Sequence, residues 1–215
     1  RDSERPMIIV GQGALTRPNG ALILSVARQI AIKYGAINGD WNGFNVLHKA
    51  AARVGGLDLG FVPNEGGLDV AGILQGACNG SIKFVYLLGA DEIDTSNLGD
   101  AFVVYQGHHG DAGANRADVI LPGAAYTEKN ATYVNTEGRV QLSRLAVYPP
   151  GEAREDWMII RALSEAVSHQ LPFDDLRQLR ARMVKLNSNF LNVDMIMPAT
   201  WENFSAASVN NPLFT

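Results

Sequence analysis

Three short apolar runs constrain this chain most. They are Lys83-Phe-Val-Tyr-Leu-Leu88, Ala101-Phe-Val-Val-Tyr105 and Asp118-Val-Ile-Leu121. None alternates apolar with polar residues, so a strand made from any of them needs cover on both faces. Met7-Ile-Ile-Val10 is a fourth run of the same kind, ending in Gly11. Between these runs lie segments with helical spacing. In Ala21–Tyr34, Leu22, Val26, Gln29, Ile30 and Lys33 share one side, and Gly35 is placed as a stop. Phe44–Val54 fits a second helix closed by Gly55-Gly56, and Leu68–Gln75 fits a third closed by Gly76. Strands alternating with helices predict an α/β fold, a parallel sheet flanked by helices.

The pattern changes after Pro149-Pro-Gly151. Arg154–His169 reads as a helix with Trp157, Ile160, Ala162 and Leu163 along one stripe. Pro172 opens another, with Leu176, Leu179 and Met183 at spacing three and four. Asp174 and Asp175 fall in its first turn, where the helix dipole favours acids. From Asn187 onward no period appears. The expected organisation is an α/β domain over residues 1–150, C-terminal helices packed on it over 151–186, and an irregular tail over 187–215, extended or poorly ordered.

Charge and cysteine usage narrow the function classes. A net charge of -4 leaves no basic footprint for nucleic acid. No apolar run reaches the roughly 18 residues of a membrane helix. Cys78 is the single cysteine, so neither an internal disulfide nor an iron–sulfur cluster can be built from this chain's own thiols. Arg1-Asp-Ser-Glu-Arg5 reads like mid-protein sequence, which leads us to expect a fragment of a longer polypeptide.

Several constellations could carry chemistry. Gly11-Gln-Gly13 follows a strand and precedes a helix, as a dinucleotide fingerprint does. Thr16 stands where the third glycine belongs, and Arg17-Pro-Asn-Gly20 lengthens the turn. A plain strand-to-helix turn is therefore the better reading. Gly89-Ala-Asp91-Glu92 ends the central strand. A carboxylate there could accept from a ribose or a guanine edge, or could cap the next segment. His108 and His109 sit beside Asp111 in a Gly-rich turn. Adjacent side chains on extended backbone point apart, and a third ligand would have to come from His48 or His169. A loop whose imidazoles bond to backbone is favoured over a metal or general-base site. Glu128, Lys129, Glu137 and Arg139 surround Tyr133-Val-Asn135 and suggest an ion-pair network. Asn135 before Thr136 and Gly138 suits a tight turn. No nucleophile is paired with a base, and no residue is assigned a catalytic, cofactor-binding or metal-binding role.

One ordered series is more specific. Ala117-Asp-Val-Ile-Leu-Pro122 is followed by Glu128-Lys129, Asn135-Thr-Glu-Gly-Arg139 with Gln141, Pro149-Pro-Gly-Glu-Ala153 and Asp156-Trp157. This series resembles the molybdopterin oxidoreductase superfamily. Asp40-Trp41, Asn45-Val-Leu-His48, Leu57-Asp-Leu-Gly60, Leu87-Leu-Gly-Ala-Asp91, Tyr105-Gln-Gly-His-His-Gly-Asp111 and Ala124-Ala-Tyr-Thr-Glu-Lys129 are similar to the large iron–sulfur subunits of respiratory complex I, the NADH:quinone oxidoreductase. The resemblance covers roughly residues 6–186.

It implies a Rossmann-like, molybdopterin oxidoreductase-like domain with no cofactor of its own. The family's 4Fe–4S and 2Fe–2S clusters belong to an N-terminal region that this chain does not match. The implied role is a non-catalytic structural module beside the electron-transfer chain. The implied partners are that iron–sulfur region and the other subunits of the peripheral arm, with no nucleic acid and no direct membrane span. The implied location is the matrix side of the mitochondrial inner membrane, or the cytoplasmic face of an alphaproteobacterial inner membrane. The alternative is a domain of a molybdopterin-dependent, formate dehydrogenase-like oxidoreductase, with Gly89, Asp91, His108 and His109 near the ligand.

Overall fold

A computed structural model describes residues 3–39 and 41–197. They divide into two compact units. The first holds residues up to Asp58, Tyr133–Gln141 and the described residues from Leu191. The second holds Leu59–Thr132 and Leu142–Phe190.

In the first unit, strand β1 (Ile8–Gly11) leads into a single turn, α1 (Gln12–Leu15), and then into helix α2 (Gly20–Lys33). A short antiparallel pair follows, β2 (Ile37–Asn38) and β3 (Trp41–Asn42). Then come β4 (Phe44–Leu47) and helix α3 (Arg53–Asp58). β1 and β4 pair in parallel, Ile8 opposite Phe44 and Gly11 opposite Leu47. Ala31, Ala36 and Phe44 are buried, with Ile8, Val10, Leu24, Ala27, Ile37 and Val46 packed around them.

Three expectations change here, the first being that Gly55-Gly56 lie inside α3 rather than closing a helix. Phe44–Leu47 is a strand rather than the start of a helix, because β1 supplies a parallel partner for its backbone and Phe44 closes the core. A four-residue apolar run is compatible with either structure, and only the partner decides. The buried stripe of α2 also runs through Leu24, Ala27 and Ala31, whereas Val26 and Ile30 are exposed. Small alanines let the helix approach the strands closely. Asp40, one residue of the resemblance, lies outside the described residues.

The second unit begins with helix α4 (Val70–Cys78), where the Asp69 side chain caps the Gly72 amide at 2.8 Å. Gly76 does not stop this helix. It lies inside, where an added Cβ would stand 2.8 Å from Ile82 Cδ1, and the left-handed residue past the end is Gly80 at φ 77°. Strands β5 (Phe84–Leu88), β6 (Phe102–Gly107) and β7 (Val119–Pro122) form a parallel sheet in that order. A 3₁₀ turn (Thr95–Leu98) and helix α5 (Ala112–Arg116) connect them. The parallel sheet and its flanking helices match the expected fold class. Val85, Leu87, Val103 and Tyr105 project to one face and meet Ala77, Leu98, Ala101 and Ala114 there.

The chain then enters the first unit along β8 (Thr132–Val134) and leaves it along β9 (Val140–Leu142), hydrogen-bonded as a two-stranded pair. Two helices follow, α6 (Asp156–Ala166) and α7 (Leu176–Leu186). Asp175 is the N-cap of α7, accepting from the Gln178 amide at 2.7 Å. It and Asp174 thus stand just before the first turn rather than in it. On α6, Trp157, Ile160 and Leu163 are partly buried, but Ala162 is exposed. Of the stretch read as a tail, Ser188–Leu191 forms a 3₁₀ turn with Phe190 buried, and Val193 bridges to Val140. Residues 198–215 lie outside the described residues. No described helix is long and apolar enough to cross a membrane.

Candidate functional site

The carboxyl ends of β5, β6 and β7 lie side by side in the second unit. In open parallel sheets this edge is where ligands bind. Successive residues of a strand face opposite ways, so Tyr105 and Gln106 organise one cluster on each face.

On the first face the Tyr105 ring lies against α5. An added Cβ on Gly113 would stand 2.7 Å from two carbons of that ring and 3.0 Å from Asp91 Oδ1, so glycine is what allows α5 to close. The Tyr105 hydroxyl donates to Asp111 Oδ1 at 3.3 Å. Asp91 Oδ1 is shielded from solvent and has no hydrogen-bond partner among the described residues. Burial and then the nearby Asp111 carboxyl raise the Asp91 carboxyl above the ordinary carboxylate range; Tyr105 and His108 oppose this. Burial, then the Asp91 and Asp111 carboxylates, push the Tyr105 phenol well up. Asp91 is not a helix cap. Asp94 has that role, accepting from the Ser96 amide at 3.1 Å.

His108 and His109 sit in the exposed loop after β6. His109 Nδ1 donates to the His108 carbonyl at 2.8 Å, and the rings lie 4.3 Å apart with planes tilted 58°. The loop is a turn, so the rings meet instead of pointing apart. Among the described residues, no group of three or more His, Cys, Asp or Glu side chains is placed to hold a metal ion. His48 belongs to the first unit, and His169 is exposed beyond α6.

On the second face Gln106 is 0% exposed. Its Oε1 accepts from the Tyr86 hydroxyl. Its Nε2 donates to Asp156 Oδ1 at 2.9 Å and toward the Asp156 carbonyl at 3.4 Å. Asp156 Oδ2 pairs with Lys129 Nζ. Asp156 stands in the first turn of α6, where the helix dipole stabilises its charge. Burial and then the Asp156 charge raise the Tyr86 phenol. Tyr86, Gln106, Asp156 and Lys129 therefore form one continuous polar chain across the sheet edge.

The expected ion-pair network is rearranged accordingly. Lys129 reaches Asp156, and Glu128 turns back to accept from the Ala125 amide at 3.0 Å. Glu137 and Arg139 form a separate pair at 3.8 Å. Asn135 makes the turn its sequence suggests, with Oδ1 accepting from the amides of Glu137 and Arg139 at 3.0 Å each. Gly11-Gln-Gly13 is a strand-to-helix turn in which Gln12 Oε1 accepts from the Lys49 amide at 3.1 Å. Sequence reasoning did not single out Tyr86, Gln106 or the pairing of Asp156. One signal was available: Gln106 ends an otherwise apolar strand, and a buried amide needs partners.

A family model described as molybdopterin oxidoreductase matches residues 1–166. The chain is 48% identical over 93% of its length to the NADH-ubiquinone oxidoreductase 78 kDa subunit, mitochondrial, of Candida albicans. It is 48% identical over 90% to the NADH-ubiquinone oxidoreductase 75 kDa subunit of Reclinomonas americana. It is also 43% identical over 94% to an NADH-quinone oxidoreductase subunit of Rickettsia bellii. It spans 26%, 28% and 28% of those three proteins, so about a quarter of each.

Proposed function

The chain belongs to the molybdopterin oxidoreductase family, and from that membership we propose that it is a non-catalytic structural module of a complex I-type NADH:quinone oxidoreductase. In this reading it sits in the peripheral arm and supports the iron–sulfur chain that carries electrons from NADH to quinone. Its partners are the iron–sulfur region of the same subunit and neighbouring peripheral-arm subunits. Its place is the matrix face of the mitochondrial inner membrane or the cytoplasmic face of a bacterial one. The observation that carries this reading is the 48% identity to the 78 kDa subunit over 93% of the chain.

What supports a role without chemistry is the make-up of the sheet edge. A pterin cofactor bearing phosphate needs cations or free amide donors, and a thiolate is one ligand that a metal bound to it could take. The edge instead presents Asp91, Asp111 and Asp156, and Lys129 is committed to Asp156. The single thiol, Cys78, ends α4 and so lies beside the amino ends of the strands. A strand of this length separates it from the opposite edge by roughly 13 Å. These residues do not fit the group, and no step is derived through it. The rigid block of sheet and helices serves instead as packing surface for neighbours.

The test is metal analysis and visible absorption of the chain purified from a host that makes molybdenum cofactors. The expected result is a colourless protein with less than about 0.1 molybdenum or iron per chain, since binding sites for either would load near stoichiometry. Stoichiometric molybdenum or iron refutes the proposal.

A further inference from the structure

Two carboxyls flank one phenol on the Tyr105 face of the sheet edge. The Tyr105 hydroxyl has a single proton to give, and Asp111 Oδ1 receives it at 3.3 Å. Asp91 Oδ1 receives none and is sealed from solvent. Helix α5 lies over it: a Cβ on Gly113 would stand 3.0 Å from that oxygen. Arg116, the base of α5, is turned elsewhere. It reaches the Gly99 and Ala101 carbonyls at 2.8 and 3.1 Å and Asp118 at 3.6 Å. Glu92, beside Asp91 in the chain, is a further acid and is exposed. His108, whose imidazole acts on Asp91, is exposed as well.

We propose that α5 and loop 108–111 form a pH-sensitive latch, shut while Asp91 and Asp111 hold one proton between them and released when both carboxyls are ionised. In the shut form that proton supplies the donor that Asp91 Oδ1 lacks. Without it, two negative charges share a site partly closed to water, and α5 lifts to let water reach Asp91. The release is local because little holds α5 down. The helix has five residues, and its buried ones are Gly113 and Ala114. Asp111 stands at its N-cap but makes no capping bond, since its carboxylate accepts from Tyr105. Burial and the Asp111 carboxyl hold the Asp91 proton more tightly in the shut form, so rising pH favours release. His108 acts in the same direction, because an imidazole that loses its charge no longer steadies an ionised Asp91. Release bares the Tyr105 ring and frees the His108–His109 turn, so the sheet edge offers a neighbour a different surface as pH changes. The inference needs only the groups on this face and is independent of the function proposed above.

The test is amide hydrogen exchange on the whole chain, read by NMR from about pH 5 to pH 8 and corrected for the intrinsic pH dependence of exchange. The reporters are the Asn115 and Ala117 amides, which donate to the Asp111 and Gly113 carbonyls at 2.9 and 3.1 Å. Their protection should fall with rising pH, by at most about tenfold per pH unit, the limit for one proton released on opening. Low urea should leave them unchanged while it speeds exchange of the β6 amides, because a local opening exposes little surface. Asp91→Asn puts a fixed donor where the shared proton sat, so its protection should stay level across the range. If Asp91→Asn does not fold, Asp111→Asn removes the same repulsion from the other side and should give the same level profile. A parent slope that persists in the variant overturns the proposal. So does no slope in the parent, or a urea dependence at Asn115 and Ala117 equal to that of β6.

Discussion

Replacing Gln106 with leucine tests the polar chain at the sheet edge. The two side chains have similar volume, so Gln106→Leu removes hydrogen bonds while leaving little cavity. The Tyr86 hydroxyl loses its acceptor, and Asp156 Oδ1 loses a donor held at 2.9 Å. A hydrogen bond to a charged group contributes about 1.5–3 kcal/mol and a neutral one about 1 kcal/mol, and the leucine returns part of this by burying apolar surface. The expected net loss is about 2–3 kcal/mol. With a urea slope of roughly 2 kcal/mol/M, the unfolding midpoint falls by about 1–1.5 M. Tyr86→Phe alone should cost about 1 kcal/mol, because it strands only the amide oxygen. The double variant should cost about 1 kcal/mol less than the two singles together, since it removes both the Tyr86 hydroxyl and the amide oxygen that the singles strand, leaving only Asp156 Oδ1 without its donor. Circular dichroism in urea on all four proteins reads this cycle. Strict additivity, or a Gln106→Leu loss under about 0.5 kcal/mol, would refute the network as described.

Two further outcomes follow from the opposite face. Gly113→Ala should destabilise by about 1–3 kcal/mol, because crowding at 2.7 Å from the Tyr105 ring outweighs the helix preference of alanine, worth at most about 1 kcal/mol; a gain in thermal stability would show that α5 does not close on the ring. Asp91 holds its proton more tightly when folded, so the folded chain binds more protons than the unfolded chain between the ordinary value of 3.8 and the raised one. Stability therefore falls as pH rises through that window, and Asp91→Asn should flatten the fall in the urea midpoint. Identical pH profiles for parent and variant would remove Asp91 from this role.

Much of the architecture was legible along the chain because its causes are local. The runs ending at Leu88, Tyr105 and Leu121 became β5, β6 and β7 within a residue or two, but the cover expected on both faces is not met among the described residues, where Phe84, Leu88, Phe102 and Ile120 are exposed. Helix α2 was equally plain, stopped at Gly35 with φ 73°. The ordered series from Ala117 to Trp157 pointed to the family, because a shared sequence pattern needs no coordinates to be recognised. Asn135 likewise declared its turn, since its side chain bonds amides two and four residues on.

Tertiary structure decided what depends on a distant partner. Phe44–Leu47 is a strand only because Ile8–Gly11 lies beside it, and no local period encodes a neighbour some 35 residues away. Ala27 and Ala31 join Leu22 and Leu24 on the buried side of α2 because small residues permit close packing, which amphipathic spacing alone does not rank. The chemistry of the sheet edge is the clearest case. Gln106 and Asp156 are 50 residues apart, and their hydrogen bond exists only because β6 ends where α6 begins. The two histidines beside Asp111 drew the eye in the sequence, yet they lie exposed in a turn. The groups that fill the edge are a glutamine, a lysine, two tyrosines and three aspartates, placed there by the alternation of strand faces and the closing of helices on them.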